Sequence, residues 1–212
     1  MIRKIVQIDK EKCNGCGACA KACHEGAIGM VDGKAVLLRD DYCDGMGDCL
    51  PACPADAISF LEREAAAYDE KAVKAHMETL ELKKSKLTQW PVQIRLLPVS
   101  SPIYENARIL VAADCCAYAH GNFHNEFMKE HVVLVGCPKL DPVDYSEKLT
   151  AIFQSNSIRD ITLTRMHVPC CGGLERAVKT AIDAVTEKSG RKLPLRIVTI
   201  NADGDIIADR FE

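Results

Sequence analysis

Seven cysteines in the first sixty residues stand at short, regular intervals: Cys13, Cys16, Cys19 and Cys23, then Cys43, Cys49 and Cys53. The segments CNGCGACAKACHEGAI (13–28) and CDGMGDCLPACPADAI (43–58) agree at the first, third and fourth cysteines, both glycines, one alanine and the closing Ala-Ile. They form an internal repeat. Met46 stands where the first copy has Cys16, and His24 stands where the second has Pro54. Cys-x2-Cys-x2-Cys is a spacing with which a tight loop wraps an iron–sulfur cubane: three thiolates reach three irons, and the fourth iron takes a cysteine from elsewhere. Gly15, Gly17, Gly45 and Gly47 let the backbone approach the sulfides in conformations that a Cβ would hinder. Their amides can then hydrogen-bond to sulfide, which tunes the potential.

Met46 makes the second copy chemically different. A thioether is a soft but neutral donor and a poor replacement for a thiolate on iron. Four readings stay open: direct ligation by Met46; loss of the fourth iron to leave a [3Fe-4S] cluster; a [4Fe-4S] cluster whose fourth iron takes water, a substrate or an oxygen of Asp44 or Asp48; and an empty second site.

Residues 5–60 resemble the two-cluster bacterial-type ferredoxins, in which the fourth cysteine of each motif ligates the other cluster. The resemblance implies that cluster I, a [4Fe-4S] cluster, is held by Cys13, Cys16, Cys19 and Cys53. It implies that cluster II is held by Cys43, Cys49 and Cys23, with Met46 at the vacant ligand position.

The rest of the chain must carry and position these loops. The 212 residues are 48% hydrophobic and 27% charged, which suits one large or two modest globular domains. A net charge of −3, without a basic patch, gives no nucleic-acid surface. No apolar run reaches the roughly 18–20 residues needed to span a bilayer, and the start MIRKIVQIDKEKC lacks the apolar stretch of a secretory signal. The expected location is therefore cytoplasmic. There, twelve cysteines point to metal or redox chemistry rather than to structural disulfides.

Beyond Ile58, AYDEKAVKAHMETLELKKSKL has apolar residues at helical spacing, among them Val73, Met77, Leu80 and Leu87, with Asp69 as the expected N-cap. His76 lies beside that stripe and reads as a packed residue. Residues 61–90 are expected to be a helical connector between a 1–60 ferredoxin domain and a 91–212 α/β domain. In the latter, VQIRLLPV, ARILVAAD, HVVLVGCP, DITLTRMHVP and LRIVTINAD have the character of buried parallel strands. FHNEFMKE, DYSEKLTAIFQS and LERAVKTAIDAVTEK suit helices between them. The expected fold class is an α+β ferredoxin-like two-cluster domain followed by an α/β three-layer domain with a mostly parallel sheet. Neither a G-x-G-x-x-G fingerprint nor a G-x-x-x-x-G-K-[ST] loop is present.

In this second half, Cys115 and Cys116 follow ILVAAD, Cys137 follows VVLVG, and Cys170 and Cys171 follow the run ending MHVP. Strand carboxyl ends form the ligand edge of an open α/β sheet, so Cys115, Cys137, Cys170 and Cys171, with Cys116 as a substitute for Cys115, are the candidate third site. A third iron–sulfur cluster ranks ahead of a four-thiolate zinc or a redox dithiol. Gly172-Gly173 precedes a helix whose N-terminal amides favour an anionic cluster. His167 is a candidate neighbour of that site. His120 and His124, and Asp141 and Asp144, read as packing, loop and capping residues.

Cys137-x32-Cys-Cys-Gly resembles half of the CCG module of heterodisulfide-reductase-type subunits, although the downstream Cys-x-x-Cys is absent. The ensemble YCDGMGDC, WPVQIRL, GCPKLD and VPCCGGL resembles a family of anaerobe proteins described as 4Fe-4S ferredoxins with a C-terminal extension. That likeness implies single low-potential electrons passing through the clusters to the third site or to a partner oxidoreductase. The alternatives are an oxidoreductase acting at the C-terminal cysteines or at an open iron of cluster II, and a redox sensor or cluster-handling protein. No paired general acid and base accompanies the cysteines, which favours a carrier over an independent enzyme. The expected partner is a redox protein, not a membrane, and a homo-oligomer stays open.

Overall fold

The computed structural model describes residues 1–212 and divides into two compact units, Met1–Lys84 and Ser85–Glu212. In the first, β1 (Ile2–Ile8) pairs antiparallel with β4 (Ile58–Glu64), placing Ile5 opposite Leu61. Strands β2 (Ile28–Val31) and β3 (Lys34–Leu37) form an antiparallel hairpin. The first cysteine segment links β1 to β2 and the second links β3 to β4, so each copy runs from one ladder to the other. The closing Ala-Ile of both copies is buried, with Ala27, Ile28, Ala57 and Ile58 in one core alongside Ile5 and Val6. Cys13, Cys19, Cys43 and Cys49 belong to that same core.

A short helix, α1 (Ala18–Ala22), begins directly after Gly17, and α2 (Glu70–Lys83) closes the unit. Asp69 caps α2, its side chain accepting from Ala72 N at 3.0 Å. Val73 is the helix's buried residue, and His76 packs at 4.7 Å on the Tyr42 ring while meeting the Gly26 carbonyl at 3.1 Å. The helix stops at Lys83, before Leu87. Residues 61–90 are thus divided between the end of β4, α2 and the start of the second unit.

The second unit is built on a five-stranded sheet of order β6-β5-β7-β8-β9. Strands β5 (Ala107–Ala113), β6 (His131–Gly136), β7 (Ile158–Met166) and β8 (Leu195–Ile200) are parallel to their neighbours. Strand β9 (Ile206–Phe211) returns antiparallel on β8. Between them run α3 (Cys116–Ala119), α4 (Tyr145–Ser155) and α5 (Gly172–Ser189). Leu149, Ile152 and Phe153 of α4 and Leu174, Val178 and Ala181 of α5 are completely buried against a sheet core of Ile109, Leu110, Leu134 and Leu163.

Three expectations are corrected here. VQIRLLPV is no strand: only Gln93 bridges to Val135, and the chain then turns, with Leu96 N and Leu97 N both donating to Gln93 O. Ile94 and Leu97, three apart, are buried on one side of that turn, a spacing that does not alternate as a strand requires. FHNEFMKE supplies a π-helical turn, His124–Met128, in place of a regular helix. The fifth strand is the mostly exposed β9, whose polar DRF end gives little apolar signal. No helix is long and apolar enough to cross a membrane.

Candidate metal centres

The seven N-terminal cysteines divide between two cavities. Cys13, Cys16, Cys19 and Cys53 line one, with Asn14, Gly17, Ala35 and Ala57. Cys23, Cys43 and Cys49 line the other, with His24, Asp44, Met46 and Asp48. Each copy therefore sends its fourth cysteine into the cavity of the other. Mutual electrostatics mostly follow the same division. Burial raises the Cys19 thiol, with Cys53 and Cys13 adding to the effect. Burial pushes Cys49 up to about 11, aided by Cys23 and Cys43 and, from the other cavity, by Cys19.

The loops share one construction. Asn14 Oδ1 accepts from Cys16 N at 3.1 Å, and Asp44 Oδ1 accepts from Met46 N at 2.9 Å, so each is an Asx turn at the second cysteine position. Gly15 and Gly45 have φ of 77° and 81°, and a Cβ there would lie 2.2 Å from Gly33 O and 2.9 Å from Lys4 O. Only glycine tolerates both the dihedral and the approach. Ala27 N points at Cys23 Sγ at 3.2 Å, and Ala57 N at Cys53 Sγ at 3.3 Å, giving both crossing cysteines the same amide partner. Cys13 also accepts from Ala35 N, and these backbone amides, with Lys34 nearby, hold its thiol below the usual range.

This donor set fits iron–sulfur clusters. Thiolates around a cavity, with glycine backbone and amides directed at sulfur, suit a group larger than one ion. A tetrahedral zinc would draw its four sulfurs to within about 4 Å of one another, and no three His, Cys, Asp or Glu side chains gather in that way anywhere in the structure. When bound, such clusters supply one-electron chemistry.

In the second unit the five cysteines sit beyond the carboxyl ends of β5, β6 and β7, three adjacent strands. Cys116 is completely buried beside the Thr164 hydroxyl, and burial first, then Cys171 and Cys115, pushes its thiol up to about 12. Cys171 is also in the core, in contact with Cys170, and is likewise raised, chiefly by burial. Cys115 and Cys170 are exposed. The structure thus brings Cys171 close enough to perturb Cys116, each beside an exposed neighbour in the chain, Cys170 and Cys115. Cys137 is half-buried at the end of β6 and is absent from the groups that perturb them.

The remaining sequence candidates have ordinary partners. His120 faces Gly204 O at 2.8 Å and Glu126 Oε2 at 2.9 Å, whereas His124 Nδ1 accepts from Lys86 N, so the two do not share a site. Asp141 accepts from Tyr145 OH at 2.6 Å, and Asp144 caps α4 through Ser146 N at 2.8 Å. His167 is exposed. Sequence reasoning passed over Asp114, at the end of β5. Its Oδ1 is buried without a hydrogen-bond partner, and burial, then Asp141, raises its pKa. The closing aspartate of ILVAAD was its only sequence signal.

Fold and site together define a cysteine-loop, ferredoxin-type unit followed by a Rossmann-like unit. Comparison with known proteins agrees. Residues 12–57 match the 4Fe-4S dicluster domain, and residues 101–212 match a Rossmann-like domain, to whose family the chain belongs. An uncharacterized protein of Archaeoglobus fulgidus is 31% identical over 97 residues, covering 45% of this chain and 68% of that one. The N-terminal unit is therefore a domain of the iron–sulfur cluster-binding type.

Proposed function

We propose that this protein is an iron–sulfur electron carrier with two clusters in its first unit. Cys13, Cys16, Cys19 and Cys53 hold a [4Fe-4S] cluster. Cys23, Cys43 and Cys49 hold a second cluster, either [3Fe-4S] or [4Fe-4S] with a non-cysteine fourth ligand. The observation that carries this reading is the division of the seven cysteines into two cavities, each completed by the fourth cysteine of the other copy. The clusters pass single low-potential electrons to a partner oxidoreductase or to the cysteines at the sheet edge of the second unit.

The five cysteines beyond the sheet edge of the second unit are a further redox site, a third iron–sulfur cluster or a thiol pair, with Cys171 close enough to perturb Cys116.

Iron and sulfide analysis of anaerobically prepared protein, with electron paramagnetic resonance, tests the proposal. Cys19→Ser is expected to remove the signals of the first cluster and Cys49→Ser those of the second, each leaving the other. Cys137→Ser is expected to leave the spectrum unchanged. Iron content unchanged in Cys19→Ser or in Cys49→Ser refutes the assignment. Turnover of a small substrate by the reduced protein alone replaces the carrier reading with an enzyme.

A further inference from the structure

The last helix of the first unit, α2, lies against one of the two cysteine loops. The turns that follow the fourth cysteines, Cys23 and Cys53, show it by a difference: Gly26 and Asp56 occupy the same place in the repeat, and both are left-handed, with φ of 61° and 47°. The dihedral alone does not demand glycine in this turn, since Asp56 adopts it with its side chain exposed. What excludes a side chain at Gly26 is α2. A Cβ there would stand 2.8 Å from Met77 Sδ and 2.9 Å from Leu80 Cδ1.

His76 of the same helix donates from Nε2 to Gly26 O at 3.1 Å, and its ring lies 4.7 Å from that of Tyr42. Both partners flank residues of the second cavity. Gly26 stands between Glu25 and Ala27, which line it, and Tyr42 directly precedes Cys43, which lines it too. Gly26 N donates to Cys23 O at 3.2 Å, and Ala27 N points at Cys23 Sγ at 3.2 Å. The start of α2 is tied to the same segment as Tyr42, with Asp69 N donating to Asp41 O at 2.9 Å. Yet the helix buries only Val73, so few apolar contacts hold it and its docking depends on the loop beneath it.

Resting on the two-cluster reading above, we propose that α2 clamps cluster II: His76 is a positioning residue that holds the Gly26 turn and Tyr42, and through them Cys23 and Cys43, so that docking of the helix and retention of that cluster stabilise each other. Such a coupling is reciprocal by thermodynamic necessity. Cluster I, whose Cys53 is followed by the open Asp56 turn, stands outside it. Because α2 ends at Lys83 and the second unit begins at Ser85, the state of cluster II sets how firmly the chain is held where the first unit ends.

The test follows iron loss from the dithionite-reduced full chain to the ferrous chelator bathophenanthroline disulfonate. Electron paramagnetic resonance of reduced and reoxidised samples reports each cluster, and hydrogen exchange reports α2. Gly26→Asp, which copies the residue tolerated at position 56 into the turn beneath α2, and His76→Ala are each expected to speed loss of cluster II about 10–100-fold and to leave loss of cluster I unchanged. His76→Gln, which keeps an N–H for Gly26 O, is expected to recover part of the difference. With α2 unaltered, Cys49→Ser should lower exchange protection from Val73 to Leu80 more than Cys19→Ser does. Loss of both clusters accelerated alike by Gly26→Asp and His76→Ala overturns the proposal, as does loss of cluster II that neither variant changes. If Cys49→Ser leaves the iron content unchanged, the two-cluster reading itself has failed; if it lowers the iron content but α2 is equally protected in Cys49→Ser and Cys19→Ser, only the present proposal has.

Discussion

The two units obtain their cores from different chemistry. In Ser85–Glu212 the core is a five-stranded sheet covered by helices, with Tyr104, Phe127, Phe153, Leu134 and Ile109 almost wholly buried. In Met1–Lys84 the sheets are only two two-stranded ladders, α2 buries only Val73, and four of the buried core residues are cysteines. Isolated two-stranded ladders are marginal in water. The second unit can hold itself together by apolar burial, whereas the first surrounds cavities that a cluster would fill. The same residue type therefore means different things in the two places: sulfur lines cavities on glycine-relieved loops in the first, and in the second Cys116 and Cys171 also serve as packing.

The largest expected effect separates the units directly. Removal of iron by a chelator should unfold the first unit and spare the second, because binding free energy of a metal group is folding free energy for the site that holds it. Hydrogen exchange checks this, with protection lost at Ile5, Val6 and Ile58 and kept at Leu110, Leu134 and Leu163. Equal loss in both units would erase the contrast.

A smaller effect tests whether the second unit supports itself. Glu175 on α5 accepts from Arg165 of β7 at 2.5 Å and from Arg210 of β9 at 2.6 Å, and Lys179 stands 3.3 Å away. These contacts tie the antiparallel edge strand to the helix layer. Glu175→Gln should cost about 1.5–3 kcal/mol in urea unfolding of the second unit and leave the iron content untouched.

Smaller still is the difference between neighbouring cysteines. Cys116→Ala opens space in a fully buried site and should cost about 1 kcal/mol, whereas exposed Cys115→Ser should stay within about 0.5 kcal/mol. Equal effects would remove the distinction between packing and exposed sulfur.

The smallest effect is one of pH. Burial opposes charge on His120, but the Gly204 carbonyl and Glu126 carboxylate outweigh it and raise its pKa. A raised histidine stabilises the fold below its unfolded pKa of about 6.5 and loses that contribution as pH rises through the higher native value. His120→Asn should flatten this slope, worth a few tenths to about 1 kcal/mol, in thermal unfolding of the second unit between mildly acid and mildly alkaline pH.

Much of this was legible in local sequence. The capping positions Asp69 and Asp144 are where spacing puts them, though α2 buries only Val73 of its expected stripe and ends before Leu87, while α4 buries Leu149, Ile152 and Phe153. Where local pattern failed, a tertiary cause intervened. VQIRLLPV is as apolar as a strand, yet it packs Ile94 and Leu97 from a turn. Strand β9 is assigned by its ladder on β8, with Arg196 and Asp209 joined across it at 2.8 Å, and not by hydrophobicity.

By itself, the sequence determined the chemistry available: seven thiols in two glycine-relieved copies, one thiol replaced by Met46, and five more sulfurs at strand ends. Those are local facts, set by residue type and spacing. Only the tertiary structure decided which sulfurs share a cavity, because Cys23 and Cys53 reach their partners through the pairing of β1 with β4 and the closure of both loops around one core. It also decided that Asp44 serves its own turn while Asp48 meets His24, twenty-four residues earlier in the chain. Contacts between distant segments depend on how the chain closes, and no spacing along it records them.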